Sequence, residues 1–221
     1  MIGTGYVGLV SGAGMADFGN SVICADIDKS KIDMLQEGGI PIYEPGLKEL
    51  VDRNVNAGRL TFSADVETSV RNADVIFIAV GTPMGDNGEA DLRAVEAVAT
   101  TIAKNLNSYK IICTKSTVPV GTGARLEALI AQEKESDYEF DVVSNPEFLR
   151  EGSAVKDFLL PDRVVLGVNT ERAADVMKQV YRSLFINETP MVITNVPSSE
   201  MIKYASNAFL AVKISFINFF S

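Results

Sequence analysis

Short apolar runs alternate with stretches of helical spacing along most of this chain. Residues 7–18 form an apolar helical segment in which Gly12 and Gly14 permit close packing, and Ser21-Val22-Ile23-Cys24-Ala25-Asp26 follows as a short buried strand ending in an acid. Residues 29–37 and 46–56 have helical spacing; between them lies the loop Gly38-Gly39-Ile40-Pro41-Ile42-Tyr43-Glu44-Pro45, and 60–62 is a short strand. The run 74–80 is continuously apolar after its first residue, as a central parallel strand covered on both faces should be. It opens into a loop of turn formers at 81–88. A helix at 91–106, a strand at 110–114, a helix at 123–133 and a strand at 140–143 continue the alternation, and 163–168 and 191–194 are two further strands around a helix at 171–184. Pro197 starts a last helix with Ser198, Ser199 and Glu200 in its first turn, and no Gly or Pro closes it. The alternation predicts βαβ units, hence an α/β fold with a doubly wound parallel sheet and a long helix after it.

Gly3-Thr4-Gly5-Tyr6-Val7-Gly8 sits where the first strand should meet the first helix. In a dinucleotide-binding turn the first glycine makes the sharp bend, the second lets a pyrophosphate approach the backbone, and the third lets helix and sheet pack closely. The helix N-terminus at Tyr6 and Val7 then offers unpaired N–H groups and the positive end of the dipole to phosphate. Asp26 lies about 20 residues beyond the glycines, where a carboxylate grips ribose hydroxyls and repels a 2′-phosphate, which favours NAD over NADP. Asp28 belongs to the next turn. Lys31 either covers the adenosine side or is a solvated lysine. Only Met1 and Ile2 precede the turn, so the first strand is short, although in the order 3-2-1-4-5-6 it is central.

A length of 221 residues, 47% hydrophobic and 22% charged, is ample for a buried core. The net charge of −9 argues against a nucleic-acid or anionic-membrane surface. Cys24 and Cys113 both fall inside strands, which suits a reducing cytoplasm and provides no disulfide or metal framework. The chain has no histidine, so acid–base work falls to Glu, Asp, Lys, Tyr, Cys or water, and a histidine-ligated metal site is excluded.

Ligands of open α/β sheets bind outside the carboxyl ends of the strands. Three polar segments occupy such ends: Gly81-Thr82-Pro83, residues 115–122 (KSTVPVGT) and residues 145–152 (NPEFLREG). Adjacent strands would bring them to one crevice. Glu147, stiffened by the preceding proline, suits a base acting directly or through a water that Thr117 helps to hold. Lys203 and Asn207 are four apart on the last helix and so share a face; an ammonium beside an amide suits a developing oxyanion.

Taken together, GTGYVGLVSG, ADIDKSKID, PIYEPGL, IFIAVGTP, TKSTVPVGTG, SNPEFLREGSAVKDFLLPDRVVLG and SEMIKYASNAFLAVKISFIN, which cover nearly the whole chain in order, resemble the UDP-glucose 6-dehydrogenase family of nucleotide-sugar dehydrogenases. The resemblance implies a Rossmann-like NAD-binding domain at residues 1–196. It implies NAD-dependent, two-step oxidation of the sugar C6 alcohol of UDP-glucose to the carboxylate of UDP-glucuronate, with GDP-mannose or a UDP-N-acetylhexosamine as alternative substrates. It assigns general-base hydrolysis to Glu147 with Thr117 positioning water, and oxyanion stabilisation to Lys203 and Asn207. Phe148, Leu149, Arg150 and Glu151 would join Glu147, Lys203 and Asn207 around the sugar. Gly3, Gly5, Tyr6, Val7, Gly8, Asp26, Lys31, Thr82 and Thr117 would surround NAD.

Family members are roughly twice this long. Residues 197–221 would therefore be the start of a central connecting and dimerisation helix, with a UDP-binding domain and a catalytic cysteine in a GGxCxPKD-type segment beyond it. Neither feature occurs here, so the sequence reads as an incomplete form, or as a non-catalytic NAD-binding or oligomerisation fragment of a homo-oligomeric enzyme. In such a fragment Phe209, Val212, Phe216, Phe219 and Phe220 would be exposed.

Overall fold

The continuous apolar runs form the strands of a sheet in the computed structural model, which describes residues 1–85 and 88–220; Asp86 and Asn87 of the 81–88 loop, and Ser221, lie outside the described residues. Strands β1 (Val22–Ala25) and β2 (Leu60–Ser63) pair in parallel. So do β3 (Val75–Ile78), β4 (Lys110–Thr114) and β5 (Phe140–Ser144). Met1 and Ile2 join the two sets. Ile2 bridges Ala25 on one side and Ile78 on the other, both in parallel. Ile2 N donates to Phe77 O, Ala79 N to Ile2 O, Gly3 N to Ala25 O and Ala25 N to Met1 O, each at 2.8 Å. With these two residues counted as the first strand, the order is 3-2-1-4-5-6, and the sense in which successive strands are added reverses beside the glycine turn. Below Ile2 the seam stays open as a cavity of about 430 Å³ between β1 and β3. The Met1 ammonium is buried at its edge and donates to Ile23 O at 2.8 Å.

Helices cover both faces. One face carries α1 (Tyr6–Asp17), α3 (Leu47–Asn56), α7 (Ala154–Leu159) and α8 (Glu171–Val180), around Leu9, Ala13, Leu50, Phe158 and Met177. On the other, α5 (Arg93–Lys104) and α6 (Thr122–Glu133), with Val70 of α4 (Val66–Asn72), bury Val95, Ala99, Ile102, Leu126 and Ile130 against Ile76, Ile78 and Ile112. Helix α2 (Lys29–Gln36) is capped by Asp28, which accepts from Ser30 N at 3.0 Å.

Four elements depart from the sequence expectation. The helices α4 and α7 are extra; at seven and six residues they are too short to display a helical period. The predicted helix at 171–184 ends at Val180 and passes into a 3₁₀ turn, Arg182–Asn187. The sheet is not parallel throughout: β6 (Val164–Gly167) runs antiparallel to β5, touching it at Ser144 and Gly167, and β7 (Met191–Thr194) is parallel to β6. The reason lies in the connection. A parallel crossover needs a helix that carries the chain back along the sheet. Here α7 instead tucks against α1, with the Phe158 ring so close to Gly14 that a Cβ there would lie 2.2 Å from it.

The last helix, α9 (Val196–Phe219), is capped by Asn195, whose side chain accepts from Ser198 N at 2.8 Å. Its first two turns dock through Val196, Ser199, Glu200 and Lys203. Beyond Lys203, Leu210 and Lys213 still line a cavity of the domain, while Phe209, Val212, Phe216, Phe219 and Phe220 are all exposed. No helix among the described residues is long and apolar enough to cross a membrane.

Candidate functional site

The glycine turn is held by backbone contacts that only glycine permits. Gly3 has φ +100°, and a Cβ on it would lie 2.6 Å from Ala79 O; a Cβ on Gly8 would lie 1.9 Å from Gly3 O. Gly5 differs, because a Cβ there would meet no protein atom within 4 Å. It is also the N-cap of α1 and supplies no side-chain cap, so the N–H groups of the first turn, at Tyr6, Val7 and Gly8, have no helical acceptor. Open space in front of a helix N-terminus suits a pyrophosphate.

Asp26 stands at the carboxyl end of β1 beside this turn. Its Oδ2 accepts from Thr4 N at 2.7 Å and Thr4 Oγ1 at 2.8 Å, and its Oδ1 accepts from Asp28 N at 3.0 Å. Burial alone would raise its pKa, but these bonds and the charge of Lys31 hold it below the usual carboxylate range. A carboxylate has about four acceptor positions, so Asp26 keeps capacity for a ribose hydroxyl. Thr4, fully buried, locks its orientation and was not singled out in the sequence. Lys31 is partly exposed and pairs with Asp28 at 3.7 Å. The donor set and open space therefore fit a dinucleotide.

Hydrogen bonds stitch together the three strand-end loops. Thr82 Oγ1 donates to Thr117 O at 2.8 Å, joining the first to the second. Lys115 Nζ donates to Asn145 Oδ1 at 3.1 Å, joining the second to the third. Lys203 of α9 then reaches the third loop, donating to Glu147 O at 2.6 Å and to Glu147 Oε1 at 3.0 Å. The other carboxylate oxygen, Oε2, accepts from Leu149 N at 2.6 Å. Glu200, one turn before Lys203, accepts from Gly121 N and Gly123 N at 2.7 Å each and so fixes α9 against the second loop.

Beside the pair lies a cavity of about 750 Å³, lined among others by Lys115, Asn145, Glu147, Phe148, Arg163 and Lys213. Phe148 presents its ring to two cations, with Arg163 Cζ 4.5 Å and Lys203 Nζ 5.3 Å from the centroid. Lys115 is buried, and burial lowers its pKa to about 8. Asn145 Oδ1 also accepts from the Tyr181 hydroxyl at 2.5 Å. Lys115 and Arg163 were not nominated from the sequence; Lys115 stood within a quoted strand-end loop, which was the available signal.

Not every nominated residue converges. Asn207, one turn beyond Lys203, is exposed, and no hydrogen bond joins it to Glu147 or Lys203. Arg150 and Glu151 are exposed, and Arg150 pairs with Asp157 at 2.6 Å. Thr117 is half-buried, and its part in the loop junction is played by its carbonyl. Cys24 and Cys113 are buried within β1 and β4, and burial pushes their thiols up to about 11 and about 12, so neither is a nucleophile for the cavity. Among the described residues no group of three His, Cys, Asp or Glu side chains could hold a metal.

Comparison with known proteins identifies the family. Residues 1–185 match the NAD binding domain of the UDP-glucose/GDP-mannose dehydrogenase family, and residues 197–221 match its central domain. The chain is 54% identical to UDP-glucose 6-dehydrogenase TuaD of Bacillus subtilis over 99% of its own length and 47% of that protein's. It is 56% identical to UDP-glucose 6-dehydrogenase of Rhizobium meliloti over 99% of its length and 50% of that protein's. A crystal structure of GDP-mannose dehydrogenase from Pseudomonas aeruginosa superposes with a TM-score of 0.93 at 35% identity, over 98% of this chain and 50% of that one. A UDP-glucose dehydrogenase from Pyrobaculum islandicum superposes with the same TM-score, 0.93, at 43% identity, over 97% of this chain and 50% of that one. The chain thus spans about half the length of the curated relatives it matches. The match over residues 1–185 settles the lineage: the chain belongs to the UDP-glucose/GDP-mannose dehydrogenase family, and those residues are its NAD binding domain.

Proposed function

We propose that this chain is the cofactor-binding part of an NAD-dependent UDP-glucose 6-dehydrogenase, which oxidises the sugar C6 alcohol to a carboxylate in two steps. The observation that carries the proposal is the Glu147–Lys203 pair, held at 3.0 Å beside the cavity, at the strand ends where the dinucleotide turn also lies. When bound, NAD+ would accept the hydride from C6, the hydroxyl proton leaving to water. In the last step Glu147 would take the proton from a water, held by Thr117, that attacks the acyl C6 and expels a thiolate supplied from outside these residues; Lys203, with Asn207, would balance negative charge developing on the C6 oxygen. For Asn207 this requires a side-chain movement, since it is exposed here. Phe148, Leu149, Arg150 and Glu151 contact the sugar, and Gly3, Gly5, Tyr6, Val7, Gly8, Asp26, Lys31, Thr82 and Thr117 hold NAD. In this reading residues 1–196 are the cofactor domain and 197–221 the start of a connecting and dimerisation helix. The uridine diphosphate is held by a second domain outside these residues, in a cytoplasmic homo-oligomer.

Burial of both cysteines supports a second reading, a non-catalytic NAD-binding or oligomerisation fragment, because the second oxidation needs a thiolate at the reacting carbon. A third concerns substrate: the 0.93 superposition on a GDP-mannose dehydrogenase means that the fold of this part does not choose the nucleotide base. Titration with NAD+, followed by an NADH assay with UDP-glucose and with GDP-mannose, tests all three. Turnover preferring UDP-glucose supports the first. Binding without turnover favours the second, and preference for GDP-mannose the third. Absence of NAD+ binding removes the basis of all of them.

A further inference from the structure

Glu44 lies in the loop between α2 and α3, in the stretch Pro41-Ile42-Tyr43-Glu44-Pro45-Gly46, to which no role was attached. Its neighbour Tyr43 is 90% exposed, whereas Glu44 itself is 5% exposed, so the loop drives one carboxylate inward. Its backbone is fixed as well: Leu47 N donates to Glu44 O at 3.1 Å, and Gly46 takes φ +79° to start α3.

The buried carboxylate is fully partnered, and its partners come from two different places. The Tyr6 hydroxyl donates to Oε2. Gly152 N donates to the same oxygen at 2.8 Å, and Ala154 N donates to Oε1 at 2.8 Å. Tyr6 is the first residue of α1, whose N–H groups form the dinucleotide turn. Gly152 and Ala154 close the loop that carries Glu147. These partners lie 38, 108 and 110 positions from Glu44, so one side chain bridges segments with no local sequence relationship. Burial alone would favour a neutral acid, but the Tyr6 and backbone donors outweigh it and hold Glu44 below the usual carboxylate range.

The loop it anchors is held at several points. Lys203 and Leu149 N hold Glu147, the Arg150–Asp157 pair and the Ser153 N bond to Arg150 O brace the outer turn, and the two bonds to Glu44 fix the end of the loop, where Arg150, Glu151 and Gly152 are exposed. A phosphate on the Tyr6 and Val7 N–H groups would fix the first turn of α1, and with it the Tyr6 side chain.

We propose that Glu44 is a positioning residue that couples the two halves of the site: dinucleotide bound at the glycine turn orders the Glu147 loop through Tyr6 and Glu44. The coupling rests on the NAD-binding reading and adds to it a thermodynamic link, which must act in both directions.

The test is amide hydrogen exchange of this chain with and without saturating NAD+, alongside calorimetric titration. In the wild-type chain NAD+ should protect the Gly5–Gly8 amides and also slow exchange at Gly152 and Ala154 by about tenfold, a usual size for coupling between sites. Tyr6→Phe removes only the phenolic link; it should retain protection at Gly5–Gly8 while the slowing at Gly152 and Ala154 falls below about threefold. Glu44→Gln should behave likewise, and if it does not fold, Tyr6→Phe alone decides. Arg150→Met, which loosens the same loop without touching the bridge, should raise baseline exchange yet keep the NAD-dependent slowing. Protection confined to Gly5–Gly8 in the wild type, or full slowing retained in Tyr6→Phe, overturns the coupling and leaves NAD binding standing. No heat and no protection anywhere overturns the cofactor reading and the coupling together.

Discussion

Lys203 holds Glu147 at two points, donating to its backbone oxygen at 2.6 Å and to its carboxylate at 3.0 Å across 56 positions of sequence. The side chains are 9% and 12% exposed, so removal of either partner strands a nearly buried charge. Lys203→Met should destabilise the domain by about 3 kcal/mol in urea unfolding, and Lys203→Met combined with Glu147→Gln should recover more than half of that loss. Additive losses in the double variant would mean that the two groups do not interact energetically.

Lys115 makes stability depend on alkaline pH. Its pKa is lowered by burial from 10.5 to about 8. Between those values the unfolded chain holds one more proton than the folded one, so this group's contribution rises with pH. Below pH 8 the buried charge costs about 3 kcal/mol, and the cost disappears as pH climbs to 10.5. Cys24 and Cys113, raised to about 11 and about 12 by burial, oppose the trend above pH 9, so the comparison must be between variants. Lys115→Met should be more stable than wild type at pH 7 in chemical denaturation, and its advantage should shrink steadily from pH 8 to 10. A pH-independent difference would refute the assignment.

The glycines of the turn should separate folding from binding. Gly5→Ala places its methyl in open space, so the melting temperature should stay within about 3 °C. NAD+ affinity should fall about tenfold or more, because the methyl occupies the approach to the backbone. Gly8→Ala drives its methyl into Gly3 O and should lose several kcal/mol of stability, about the range for severe backbone conflict. Equal NAD+ affinity for Gly5→Ala and wild type, by calorimetry, would move the cofactor away from this turn.

The outer half of α9 should make the chain self-associate. Phe209, Phe216 and Phe219 are 66%, 61% and 83% exposed on a helix with no covering layer. Replacing all three with Gln should abolish concentration-dependent growth in light scattering while leaving NAD+ affinity unchanged. Persistent growth would locate the sticky surface elsewhere.

Much of this architecture is legible in the sequence because parallel strands buried on both faces are written as unbroken apolar runs. Val75–Ile78 and the Ile111-Ile112-Cys113 centre of β4 are the clearest cases, and the glycine turn fixes which strand is central. What escapes is decided by distant contacts. The reversal at β6 follows from Phe158 lodging against Gly14, which no local pattern announces. The partners of Glu44 and Lys115 lie 108 and 30 positions away. Helical spacing puts Asn207 on the face of Lys203, yet Lys203 is buried and Asn207 exposed, so a shared face does not bring a shared environment.

Ile2 bonds to the β1 side and to the β3 side of the sheet at once, so the backbone on which the glycine turn is mounted ties together the two sets of strands. The turn leaves the sheet at that junction. Asp26 stands at the end of one set, and Thr82 and Thr117 follow strands of the other. A ligand long enough to grip both would act as a rivet between them.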